Sequence, residues 1–112
     1  MKIYYGSSGT RSDVSGDAPI EASLESTLDA FRELDPDEGF LGVILDPQFT
    51  LQFATHGEDA IRVELLDTSL PAFDGCIADR QFAESLIRAA AAGQDVFNIA
   101  RASRYQWEHT RL

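Results

Sequence analysis

His56 and His109 are the two side chains best suited to move a proton near neutral pH, and neither sits in a catalytic context. A hydrolytic triad needs a nucleophile, a base and an orienting acid. His56 falls in a short turn, His109 falls in the C-terminal tail, and the serines near Gly6 lack an elbow motif. The Gly-Ser-Ser-Gly run at 6–9 has the glycines of a phosphate cradle but no following Lys-Ser/Thr, so it reads as a loop. Cys76 is the lone cysteine, with no internal disulfide partner and no neighbour at metal-ligand spacing. An acid-rich chain leaves a glycosidase-type carboxylate pair open, although the acids lie where solvent-facing acids lie. The expectation is a protein without catalytic residues, metal or cofactor.

Charge is the informative property. The chain carries 19 acids against 9 bases, a formal −10. Residues 13–38 hold nine of those acids with Arg32 as the single base, whereas residues 80–112 are arginine-rich. Such a field repels nucleic acid and anionic membrane and speeds association with basic proteins. Plain solubility is the other reading of the same surplus. No basic stripe interleaves with aromatics, which disfavours nucleic-acid binding. The longest apolar run, 40–45, is too short to span a bilayer, and the N-terminus lacks a signal-peptide layout. With the single thiol, these features predict a soluble protein of a reducing, cytoplasmic compartment.

The elements that must position these residues follow from periodicity. In 40–65, Phe49, Leu51 and Phe53 alternate with polar or small residues, and Ile61, Val63 and Leu65 alternate with Arg62 and Glu64. The breaks, Asp46-Pro47 and the turn around Gly57, are short enough for hairpins, so the stretch predicts a three-stranded antiparallel meander with one apolar face. Ile3 to Tyr5 reads as a further strand at a sheet edge, and Cys76-Ile77 as a short additional one. Residues 6–18 read as a flexible loop and 66–75 as a connection that packs down.

Two helices are predicted to cover the apolar face. The first has Ile20, Leu24, Leu28, Phe31 and Leu34 on one stripe, starts at Ser23 or around Pro19, and ends before Asp35-Pro36. The second has Asp79 as N-cap, Phe82, Leu86, Ala89 and Ala90 inward, and Gly93 as its stop. Val96, Phe97 and Ile99 predict one more turn against the core. The fold class is therefore a single α+β domain over 1–112: an antiparallel sheet of four to five strands with two helices packed on it.

Glu21, Glu25, Asp29 and Glu33 recur every four residues on the outer side of the first predicted helix, and Asp37 and Glu38 extend them. Like charges at that spacing cost a few tenths of a kcal/mol per pair. A ridge kept for a cationic partner explains them, and so does a solvated face partly offset by the helix dipole. Tyr105 and Trp107 share a face if the tail is extended, and either anchor an interface or plug the core.

The order of first helix (23–34), meander strands (39–45, 49–53, 61–65), the Cys-to-helix unit (76–92) and Trp107-Glu108 resembles the type-1 immunity proteins of bacterial polymorphic toxin systems. The resemblance covers about 20–112 and leaves 6–18 without a counterpart. It implies a small bacterial cytoplasmic α+β protein that neutralises a cognate toxin, frequently a nucleic-acid deaminase, by binding without catalysis, as a monomer in a one-to-one complex. The acidic ridge, with Tyr105 and Trp107, would then be the partner surface. The alternative from another class is a secretion chaperone or adaptor, which would show a homodimer and an exposed apolar groove.

Overall fold

The strands of the meander take up the positions that their alternation dictates. The computed structural model describes residues 1–6, 14–16 and 18–111. β1 (Lys2–Gly6) and β2 (Ile20–Glu21) are followed by α1 (Leu24–Arg32), and then by the meander β3 (Phe40–Ile44), β4 (Phe49–Thr55) and β5 (Ala60–Asp67). β6 (Ala72–Asp79), α2 (Arg80–Ala91), α3 (Val96–Arg101) and β7 (Glu108–Arg111) complete the chain. All pairings are antiparallel and the sheet order is β2-β1-β3-β4-β5-β6-β7. The register sets Leu41 opposite Phe53 and Phe53 opposite Val63, and sets Val43 opposite Leu51 and Leu51 opposite Leu65. These residues are buried in one cluster with Leu28 and Phe31 of α1, Leu86 and Ile87 of α2, and Val96 and Phe97 of α3. Phe31 meets Phe53 edge-on, with ring centroids 5.5 Å apart.

Among the described residues the sheet has seven strands and the helices number three, more than the four to five strands and two helices predicted. The extra strands share a cause: they do not bury alternate large apolar side chains. β2 is two exposed residues held by ladder bonds to β1, and β7 is four exposed polar residues held to β6. In β6 the inward residues are mostly small, Ala72, Cys76 and Ala78, so the strand begins inside what reads as a connection. β1 lies between β2 and β3 instead of at the edge.

α1 starts later than its apolar stripe implies. Ser23 is extended (φ −74°, ψ 168°) and its hydroxyl accepts from the Ser26 N–H, which fixes it as N-cap and leaves Ile20 in β2. Asp79 caps α2 by accepting from the Phe82 N–H at 2.7 Å, and α2 ends before Gly93, whose φ is +74°. The expected extra turn is α3, with Val96 and Phe97 buried but Ile99 exposed. Residues 7–13 and 17 of the loop expected over 6–18 lie outside the described residues, and Val14 is bridged to Tyr5 by two backbone bonds. No helix among the described residues is long and apolar enough to cross a membrane.

The core face should carry the stability. Phe53→Ala is expected to cost about 3–5 kcal/mol in urea denaturation. Phe40→Ala, on the opposite face of the same sheet and 40% exposed, should cost under about 1 kcal/mol. Equal losses at the two positions would contradict the assignment of faces.

Candidate functional site

α1 runs from Ser23, beside Met1, towards the opposite end of the sheet, where Glu33 closes it. The turn that follows is tied to the end of β4: the Gly39 N–H donates to Thr55 Oγ1 at 2.8 Å, and the Thr55 N–H donates to the Gly39 carbonyl at 2.8 Å. Immediately beyond Thr55 is the 56–59 hairpin turn. Two acidic turns, one with Asp37 and Glu38 and the other with Glu58 and Asp59, therefore lie side by side. All four residues are exposed, as is Glu33. Arg80 lies beside them, its Nε donating to the Glu58 backbone carbonyl at 2.9 Å and its guanidinium lying over the Phe31 ring. Among the described residues none of these five carboxylates makes an ion pair.

The predicted ridge does not form one surface. Glu21 is in β2, with Oε2 3.4 Å from the Met1 ammonium. Glu25 and Asp29 line a shallow groove between α1 and α2 together with Arg32 and Arg88. Arg32 grips Glu84 of α2 with two parallel bonds, Nε to Oε2 at 3.2 Å and Nη2 to Oε1 at 2.7 Å. The Arg32 hydrogen bond, aided by the charges of Arg32, Arg88 and Arg80, holds the Glu84 carboxyl below its usual value. Mixed charge occupies the middle of the ridge. The surplus is at its far end, on Glu33, Asp37 and Glu38, joined by Glu58 and Asp59.

Tyr105 reaches that same end and Trp107 does not. Asp79 pairs with Ala60 at the base of the acidic hairpin. The Tyr105 hydroxyl donates to Asp79 Oδ2 at 3.0 Å, and its ring packs on Phe82 with centroids 4.6 Å apart. Arg104 lies over the Tyr105 ring and donates to the same carboxylate at 3.3 Å. Trp107 instead donates its indole N–H to the Ala100 carbonyl of α3 at 3.0 Å and packs against the core. Tyr105 precedes β7 in a bend, so the two rings do not share an extended face. Both are half-buried against the core.

His56 is exposed in its turn. His109 Nδ1 lies 2.6 Å from Asp74 Oδ1, and Asp74 Oδ2 accepts from Arg101 Nε and Nη2 at 3.2 and 3.1 Å. The cluster clamps β7 and α3 onto β6. At the other end of the sheet is a half-open hollow of about 590 Å³, floored by Phe49, Val96 and Phe97. Its size suits a small ligand, but its polar side chains hold local structure: Asp46 caps the turn to Phe49, Asp95 caps α3, and Arg101 binds Asp74. Burial pushes the Cys76 thiol up to about 11, against a smaller opposing effect of Arg62.

Four carboxyls sit below their ordinary range. The Ser69 hydroxyl acts most on Asp67, the Phe82 N–H on Asp79 and Arg32 on Glu84. For Asp74, burial pulls upward, but the bonds from His109 and Arg101 together outweigh it. Each group binds its proton more weakly folded than unfolded. Its stabilisation is present above the ordinary carboxylate range and is lost as pH falls below about 4. Asp74→Asn should therefore melt below the parent at pH 7, with the gap narrowing towards pH 3. A gap constant across that range would show that the Asp74 charge does not hold β7 and α3 in place.

No family model, curated protein or solved structure matches the chain, so the reading of its function rests on its own residues.

Proposed function

We propose that this chain is an immunity protein that binds a basic toxin domain through the acidic end of its sheet and keeps that toxin from nucleic acid. The observation that carries the reading is the pooling of Glu33, Asp37, Glu38, Glu58 and Asp59 on adjoining turns, none of them in an ion pair among the described residues. A toxin that acts on nucleic acid needs Arg and Lys to grip phosphates. Clustered carboxylates compete for those same cations and steer a fast encounter. The order of elements that resembles type-1 immunity proteins supports the same reading. Neutralisation then proceeds by occupancy in a one-to-one complex, with no bond made or broken on this chain, and a nucleic-acid deaminase fits as the partner.

A secretion chaperone needs a contiguous apolar groove. Among the described residues the exposed large apolar side chains are Ile20, Phe40, Leu70, Ile77 and Ile99, and they sit on β2, β3, the β5–β6 turn, β6 and α3 respectively. That scatter favours the immunity reading.

Charge reversal tests it, with the C-terminal domain of a secreted protein encoded next to this chain as the partner to be assayed. Reversing Asp37, Glu38 and Glu58 to Lys should slow association about tenfold or more at low salt. Reversing Glu25 and Asp29 should change it less than about threefold, because Arg32 and Arg88 share their groove. Melting temperatures should stay close to the parent, since exposed acids contribute little to stability. An association rate indifferent to salt and to the triple reversal would remove the acidic end from the interface.

A further inference from the structure

At the end of the sheet away from the acidic turns, the corner between α2 and α3 faces the turn between β3 and β4 across a hollow. Each corner is fixed by its own sequence. Gly93, at φ +74°, ends α2, and the Gln94 N–H returns to the Ala89 carbonyl at 3.0 Å. Asp95 then starts α3 by accepting from the Asn98 N–H and from its side-chain amide. Across the hollow, Asp46 Oδ1 accepts from the Gln48 and Phe49 N–H groups at 2.7 and 2.9 Å. These bonds hold the two sides of the hollow in place without a ligand.

The floor between the corners is apolar. Phe49 and Phe97 meet edge-on with ring centroids 5.1 Å apart, Val96 lies beside them, and Ala90 of α2 stands in the wall. The volume of about 590 Å³ falls among those of sites for small organic molecules, roughly 300–1,000 Å³. Apolar walls with a few polar groups at the mouth are the usual composition of such sites.

The charge of the lining selects the occupant. Two cations line the hollow, and each is matched by a carboxylate from outside it. The Met1 ammonium lies 3.4 Å from Glu21 Oε2, and Arg101 gives Nε and Nη2 to Asp74 Oδ2 while lying over the Phe97 ring. Two carboxylates also line it, Asp46 and Asp95, and neither forms an ion pair among the described residues. Their bonds are to local amide groups, and an ionised carboxylate accepts more than these. Asp46 Oδ2 has no hydrogen-bond partner among the described residues. An apolar floor with unmatched negative charge at its mouth complements a molecule with an apolar body and a positive end.

We propose that this hollow binds a small amphipathic amine, its apolar part on Phe49 and Val96 and its ammonium at the Asp46 and Asp95 carboxylates. The site is separate from the acidic turns and does not depend on the immunity reading.

The test titrates the isotope-labelled chain, followed by its amide chemical shifts, with three probes that share an indole ring: tryptamine, tryptophol and indole-3-propionate. Tryptamine should bind with a Kd below about 1 mM, moving the amides of Phe49, Gln94 and Asn98 most, and tryptophol should bind about threefold or more weakly. Asp46→Asn with Asp95→Asn removes both charges and keeps both caps, since Asn caps as well as Asp. The pair should weaken tryptamine about threefold or more and leave tryptophol within about twofold. Ala90→Leu, which narrows the hollow, should weaken both probes and serves if the Asn pair melts early. Tighter binding of indole-3-propionate would assign the hollow to anions through Arg101 and overturn the inference. Equal affinity for the three probes, shifts that do not saturate or that fall elsewhere, or tryptamine binding indifferent to all of these substitutions would overturn it as well.

Discussion

A strand with a two-residue period can send its large apolar side chains to one side only, and every other feature of this fold is arranged around that restriction. Leu41, Val43, Leu51, Phe53, Ile61, Val63 and Leu65 all fall on one face, and each is at most 2% exposed. The helices have to lie over that face to remove it from water. Once they do, the acidic connections are confined to the ends of the sheet, and the opposite face is left to residues that satisfy one another laterally. The edge-on contact of Phe31 with Phe53 sits where α1 crosses β4. It fixes the height of α1 over the sheet, and with it the position of Glu33 and the turn beyond.

The distribution of charge follows from the same layout. Arginines on the helices, strands and tail find carboxylates nearby: Arg32 with Glu84, Arg62 with Glu64, Arg101 with Asp74 and Arg104 with Asp79. Three of these pairs join different elements, and their acids are held ionised well into mildly acidic conditions. Pairing takes up four of the nine cationic side chains, and the excess of 19 acids over 9 bases leaves unpaired carboxylates at the turns. Turns favour Asp for a local reason, since its carboxylate accepts backbone N–H groups two residues on. Asp35 does this for Asp37, and Asp46 does it for Gln48. A local turn preference and a global surplus thus act together at the turns of both ends of the sheet.

The meander was legible because its side chains alternate, and the Asp79 cap and Gly93 stop were legible because each has one dominant structural use. Ile20 falls four residues before Leu24, at helical spacing. The structure instead shows that the Ser23 hydroxyl, by satisfying the Ser26 N–H, stops the helix from extending back. β2 and β7 were invisible because exposed polar strands are specified by backbone bonds to a neighbour and carry no period of their own. Asp37 and Glu58 are 21 positions apart, and only the pairing of β3 with β4 makes their turns adjacent. Tyr105 arrives at that end through Asp79, a contact between residues 26 apart. The hollow beside α3 needed Phe97 to pack on Phe49, a contact between residues 48 apart that composition does not reveal.

The account's central claim is that carboxylates gathered at one end of the sheet receive a positively charged protein. Amide hydrogen exchange of the chain, free and with the proposed basic toxin partner, tests it most directly because it needs no substitution. The account predicts slowed exchange over residues 33–40 and 55–60, with little change at β7. Slowing confined to α3 and β7, with the two acidic turns exchanging as in the free chain, would contradict it.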